Sequence, residues 1–445
     1  MIRRRLNSLV TLFFIALLVS ANVFAQEPPK DYAPKAEIVS LIGTIQQNAT
    51  VQQALEYIKS QQAQIIKDDI ELTQIPAPPF AETVRGVEYA KRLEAAGLTD
   101  VKTDAAGNVY AIRKGTGNGP LLLVAAHLDT VFPEGTDVTV KQKDDGKLYA
   151  PGIGDDGIAL ASLLAIVRAF DVTGIKTVGD IIFCGDVGEE GLGDLRGMKA
   201  IFADIKGIDG FISIESGFSG VTYLATGSHR FEVTFKGPGG HSFGAFGIPS
   251  PIHAMGRAIA KISEIQVPKD PKTTYTVGVV SGGTSVNSIA FEAKMWVDMR
   301  SNDEIEVVKT EQLFRKAIYD GVFEENYRWG SDKISVDITM VGNRGAGSQD
   351  PYTPIVQIDF AAQQAVGIPN VKLGSASSTD ANHPIALGIP AITTVGGGRK
   401  GGGGHALNEW VDPTDAYMTA QHTLLTILGL VGVDGVSIPQ LAEIK

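Results

Sequence analysis

Two apolar runs organise the pattern of this chain. Residues 121–126 and 181–184 are unbroken apolar stretches of strand length, the pattern of strands buried on both faces. The first runs into His127-Leu128-Asp129, and Glu189-Glu190 follow shortly after the second. A shorter run over 210–214 ends at Glu215. Another over 391–395 leads through a glycine-rich stretch, 396–404, to His405. Open α/β sheets collect their ligands beyond strand C-terminal ends, so these polar residues become candidates for one shared site.

Helical patterns separate the strands. Residues 37–73 read as helix, stopped by Ile75-Pro76-Ala77-Pro78-Pro79-Phe80. Residues 82–96 read as another, closed by Gly97, and 101–113 as a hairpin turning at Ala106-Gly107-Asn108. A helix over 156–170 shows a broad apolar face through Ile158, Leu160, Leu163, Leu164, Ile166 and Val167, and a short one covers 198–202. Alternating strands and helices predict an α/β layer with a mostly parallel sheet. Near Ser228 the pattern changes. A half-exposed alternating strand over 230–235 is followed by an amphipathic helix over 251–265 and strands over 275–280 and 292–300. A long helix over 304–327 and a strand over 334–341 complete a ferredoxin-like β-α-β-β-α-β order. The α/β pattern then resumes, with a helix over 355–366, the strand over 391–395 and an apolar helix over 414–430.

Length and composition support this division. A chain of 445 residues, 44% apolar, predicts two domains with sizeable cores. Residues 1–25 have a basic start (Arg3-Arg4-Arg5), an apolar core over 9–19 and a small-residue end (Val23-Phe24-Ala25). That is a signal peptide cleaved near Ala25-Gln26; its apolar core is short for a membrane anchor. The expected organisation is a signal peptide over 1–25, then a catalytic domain made of two separate segments, 26–227 and 342–445. A flexible Pro-rich leader over 26–35 opens its first segment, and an inserted domain, 228–341, lies between the two. Export to the periplasm or beyond follows. The net charge of −11 becomes more negative once three arginines leave with the signal, which argues against nucleic-acid or anionic-membrane partners. The single cysteine, Cys184, excludes an intramolecular disulfide and reads as a packing residue.

The chemistry rests on His127, Asp155, Glu190, Glu215 and His405. Imidazoles and carboxylates are the donors zinc favours, and two ions can share five ligands if one carboxylate bridges. Asp129, two residues after His127, would share its strand face and fix its ring tautomer. Glu189 and Glu190 are adjacent and point apart, so one can ligate while the other serves as general base. Each feature alone has an ordinary explanation: a histidine on the surface or in the core, a solvated Glu pair, Asp155-Asp156 as a turn or helix cap. Their ordered recurrence beyond apolar strands carries the argument.

The ordered set His127-Leu128-Asp129-Thr130-Val131, Gly154-Asp155-Asp156-Gly157, Gly188-Glu189-Glu190-Gly191, Glu215 and His405 resembles the di-zinc metallopeptidase family. That family contains peptidase T, glutamate carboxypeptidase, aminoacylase and succinyl-diaminopimelate desuccinylase. The resemblance spans nearly all of the chain after the signal. It implies one zinc on His127, Asp155 and Glu215, another on Asp155, Glu190 and His405, with cobalt or manganese as alternatives. It implies Glu189 as general base and acid, and Asp129 orienting His127. It implies that the inserted ferredoxin-like domain, 228–341, is a lid and dimerisation domain through which a homodimer forms, with His241 (in Gly239-Gly240-His241-Ser242) polarising the substrate carbonyl, within or between subunits. Asn287 and Arg300 resemble the pair that contacts the substrate's carboxylate end, against the alternatives of a turn residue and a strand-end salt bridge. Gly157 departs from the family's usual Lys. Glu215 matches carboxypeptidases and deacylases, whereas Ser378-Thr379-Asp380-Ala381-Asn382 and the glycine run lie closer to peptidase T, so substrate polarity stays open. Ser377 to Asp380 reads as a turn cap ahead of a pocket lining. His229, His253, His383 and His422 have no assigned role. The expected activity is exopeptidase hydrolysis of small peptides. The alternatives are an N-acyl amino acid deacylase and a non-catalytic metal- or peptide-binding protein.

Overall fold

The computed structural model describes residues 28–443; the signal peptide and its cleavage point lie outside them. A seven-stranded sheet runs in the order Lys102–Thr103, Val109–Arg113, Asp180–Asp186, Leu121–His127, Ile208–Glu215, Ala391–Val395, Val221–Thr222. The four strands from Asp180–Asp186 to Ala391–Val395 are mutually parallel, and antiparallel pairs close both edges. Register pairs His127 with Asp186 and Glu215 with Val395, so these C-terminal ends meet along one rim.

The apolar runs arise because both faces are covered. Leu122, Val124, Ala126, Phe183 and Ile214 pack under the helices Ile158–Thr173, Ala416–Val431 and Pro354–Ala365. Leu123, Ala125, Ile182 and Cys184 pack on the opposite face against Leu195, Met198 and Ile201. Cys184 is buried, as its strand position implies.

Two expectations change near the N-terminus. The helical stretch over 37–73 is three helices, Ala36–Gln47, Ala49–Ser60 and Gln62–Thr73. Asn48 takes an extended backbone, and its side chain accepts from the N–H groups of Thr50 and Val51, so it caps a new helix. The described part of the leader is anchored. The Tyr32 hydroxyl donates to the Pro351 carbonyl at 2.8 Å, and its ring packs on Tyr352 and Phe360.

A second sheet runs Thr273–Gly282, Glu292–Ser301, Gly227–Lys236, Ser335–Arg344, all antiparallel. With the helices Pro251–Ile262 and Glu304–Arg328 this is the ferredoxin-like order, and its own core includes Phe231, Val233, Phe235, Met295 and Phe314. Over 230–235 the expected alternation holds: Phe231, Val233 and Phe235 face this core, while Arg230 and Glu232 stay partly exposed. The last strand continues to Arg344; an irregularity between Met340 and Gly342 breaks the alternation that suggests an end at Val341. Among the described residues no helix is long and apolar enough to cross a membrane.

Candidate metal centre

His127 closes its strand, and its Nε2 lies 3.0 Å from Asp155 Oδ1 and 3.9 Å from Glu215 Oε2. Asp155 comes from the loop Ile153–Gly157 that opens the helix Ile158–Thr173. Its other oxygen, Oδ2, lies 3.3 Å from His405 Nε2, which is 3.0 Å from Glu190 Oε1. Each oxygen of Asp155 therefore faces a different imidazole. Donor atoms of His127, Asp155 and Glu215 lie within 4.8 Å of one another, as do those of Asp155, Glu190 and His405, and of His127, Glu189 and Glu190.

Asp129 does something other than its spacing implies. The strand ends at His127, so Asp129 lies in the following loop. Its main-chain carbonyl, not its carboxylate, makes the close contact with His127 Nδ1, at 3.0 Å against 3.7 Å. The carboxylate instead accepts from the N–H groups of Gly188, Glu189 and Glu190 at 2.9, 3.1 and 2.9 Å. It fixes the loop that presents the Glu pair.

The electrostatics are lopsided. Burial, followed by Asp155 and Glu189, pushes Glu190 up to about 7. Burial and neighbouring carboxylates also raise Glu189 and Glu215. Burial works against an ionised Asp155, but hydrogen bonds from His127 and His405 outweigh it and hold Asp155 below the usual carboxylate range. The hydrogen bond with Asp155, and then Glu190, lift His405 to about 9. Among the described residues Glu215 Oε1 is buried with no hydrogen-bond partner. Crowded carboxylates, two imidazoles and an orphaned buried oxygen are a donor set that suits two divalent cations.

Residues 123–429 match the model of the peptidase family M20/M25/M40. The chain belongs to this family. It is a hydrolase of the family's peptidase and amidase type, and the family uses a dinuclear metal site. A probable carboxypeptidase of Neosartorya fischeri is 24% identical over 402 residues, covering 80% of this chain and 87% of that one. An N-acetylcysteine deacetylase of Bacillus subtilis is 25% identical over 313 residues, 66% of this chain and 75% of that one. Aminopeptidase PepT of Bacillus cereus superposes with a TM-score of 0.65 at 21% identity, over 82% of this chain and 98% of that one.

The cleft of this M20-family chain, about 450 Å³, is lined by the clustered carboxylates, His405, Ser377, Ser378, Thr379 and three arginines, Arg230, Arg300 and Arg344. Ser377 to Thr379 thus line the cleft as well as forming a turn, in which Thr379 Oγ1 accepts from the Ala381 N–H. Arg300 reaches the cleft and donates to Asp298 at 2.8 Å. His241 and Asn287 do not join it within this chain. His241 pairs with Ser288 on a two-stranded extension, the preceding Asn287 carbonyl accepts from the Ser242 N–H, and the exposed His241 ring accepts from the Phe243 and Gly244 N–H groups. Arg344 is a residue the sequence pattern missed. Its Nη1 donates to Glu189 Oε1 and to Ser378 Oγ, both at 3.1 Å, and its Nη2 donates to the Glu189 carbonyl. Its only sequence signal is its place just past the strand's apparent end. Three unassigned histidines are structural: His422 bonds Thr394 in the core, His229 bonds Glu311 and His383 packs on Phe202. His253 is exposed, 3.5 Å from Glu325.

Close packing requires a glycine at one position of the glycine run, Gly398. His405 sits between the paired strands Lys400–Gly402 and Trp410–Asp412. A Cβ on Gly398 would lie 1.9 Å from the Asp412 carbonyl oxygen and 2.8 Å from Pro413 Cα, backbone that cannot yield. Gly398→Ala should destabilise the protein by about 1–3 kcal/mol and misplace His405. A calorimetric melt together with ion content checks this; normal values in both would refute it.

Proposed function

We propose that this chain is an exported exopeptidase that hydrolyses terminal amide bonds of small peptides with two zinc ions. The observation that carries the proposal is Asp155, with one oxygen toward each imidazole and the buried Glu189 beside the same cleft. His127, Asp155 and Glu215 would hold one ion, and Asp155, Glu190 and His405 the other. When bound, such a pair supplies Lewis acidity to a water and to the amide carbonyl. Glu189 takes the proton of the attacking water and returns it to the leaving amine. Asp129 and Arg344 hold Glu189 in position. Arg300, which lines the cleft, provides a guanidinium partner for a substrate carboxylate. His241 and Asn287, exposed and away from this cleft, would enter from a partner subunit in a homodimer joined through the inserted domain, with His241 donating to the carbonyl oxygen.

The test is metal analysis, light scattering and turnover of dipeptides, tripeptides and N-acyl amino acids by the purified mature chain. Two ions per chain, a dimer and peptide turnover are expected. Turnover of N-acyl amino acids alone would replace the peptidase with a deacylase, the reading favoured by the likeness to N-acetylcysteine deacetylase. No turnover by ion-loaded protein would leave a binding protein. Sequencing the N-terminus of exported protein should find Gln26.

Ion affinity should depend on pH in a defined direction. Without ions, His405 keeps its proton up to about 9 and Glu190 up to about 7, and ligation requires both bare. Affinity should therefore rise with pH across that window and level off above it, and binding at pH 7 should release protons. Calorimetry in buffers of different ionisation enthalpy measures the release; binding without it would contradict the assignment.

A further inference from the structure

Glu409 lies four residues beyond His405, and the activity proposed above gives it no part. It is buried. Its carboxylate accepts three main-chain hydrogen bonds: Gly152 N–H to Oε2 at 2.9 Å, and the Gly154 and Asp155 N–H groups to Oε1 at 2.8 Å each. Gly154 and Asp155 belong to the loop Ile153–Gly157 and Gly152 immediately precedes it, and Glu409 is 257 residues from Gly152 in the chain. The main chain reinforces the grip. The Ala150 N–H donates to the Glu409 carbonyl at 3.2 Å, and Trp410 pairs with Tyr149. Gly154 leaves the room this requires, since a Cβ there would lie 3.0 Å from Glu409 Oε1.

We infer that Glu409 is a positioning residue that locks the Asp155 loop to the His405 hairpin, so that both ion-binding triplets keep a common geometry. A carboxylate suits this role because its two oxygens carry enough lone pairs for three converging donors. An amide does not: its NH2 would face one of the N–H groups. Glu409 touches neither ion nor substrate. It acts through the main chain of Asp155, the residue both triplets share, and through the hairpin that ends in His405. The geometry parallels Asp129, whose carboxylate grips the Glu189-Glu190 loop through three N–H groups. Each of two buried carboxylates thus holds one ligand loop.

The inference rests on the two-ion reading above, so wild type and variants are compared in one series. The probe is zinc, titrated by competition with a chromogenic chelator, alongside thermal melts of the zinc-free proteins and steady-state kinetics at saturating zinc. Glu409→Gln should bind zinc roughly 10–100-fold more weakly and lose kcat by a similar factor, with KM changed less than about threefold. Glu409→Asp, which keeps the carboxylate, should recover part of both losses, as a merely structural role would not require. Gly154→Ala, which leaves Glu409 in place and crowds its oxygen, should shift zinc affinity in the same direction. That variant decides the matter if Glu409→Gln does not fold. The assignment is overturned if either folded variant binds zinc and turns over like wild type, or if losses track the zinc-free melting temperature alone. If wild type itself holds fewer than two zinc ions, the two-ion reading fails and takes this inference with it. A two-zinc, active wild type beside unaffected variants sinks Glu409 alone.

Discussion

Glu189→Gln should keep both ions bound and lower kcat by about 10²–10⁴-fold, the range for loss of a positioned general base. The substitution is nearly isosteric. Its amide oxygen can still accept from Arg344 Nη1, which lies 3.1 Å from Glu189 Oε1, and the three N–H bonds from 188–190 to Asp129 involve only main chain on the Glu189 side. The cleft should therefore keep its shape while losing its proton acceptor. Burial raises Glu189 and Arg344 opposes that rise, a balance that moves a base toward neutral pH. Ion content by mass spectrometry and kcat over a pH series test this. Activity within tenfold of wild type would remove Glu189 from the proton path.

Asp155→Ala should have the widest effect of any single change. Asp155 belongs to two of the three clusters of potential ligands among the described residues, and none of the other ligands faces both His127 and His405 with a carboxylate oxygen each. Both ions should be lost on dialysis, and turnover should fall by about 10³-fold or more, since ion polarisation supplies several kcal/mol of the barrier reduction. Glu215→Gln, by contrast, should empty one position first, because Glu215 joins only the cluster with His127 and Asp155. An Asp155→Ala protein that retains two ions after dialysis would show that Asp155 does not bridge.

The central sheet is legible in the sequence because burial on both faces leaves a signature that survives without context, the unbroken apolar run ending in a polar cluster. His127, Glu190 and Glu215 can be placed at one rim on that basis, and the match of 123–429 to a family model agrees with the fold. What escapes depends on contacts distant in sequence or on local irregularity. Arg344 is hidden by the break in alternation between Met340 and Gly342. Asn48 interrupts an otherwise helical pattern through one side-chain cap. Asp129 reads as a strand residue because nothing in the spacing shows that the strand stops at His127. The leader reads as flexible from its prolines, and only partners far along the chain, the Pro351 carbonyl and the rings of Tyr352 and Phe360, explain why Tyr32 holds it down.

The insertion of the ferredoxin-like unit between Glu215 and His405 bears on the order of events during synthesis. The strands Leu121–His127, Asp180–Asp186 and Ile208–Glu215 leave the ribosome together, but their neighbour Ala391–Val395, His405 and Glu409 emerge only after the whole insertion. Contacts this distant in sequence form late. A nascent or prematurely terminated copy should hold at most one of the two ions and should be inert, so hydrolytic competence arrives only with a finished chain.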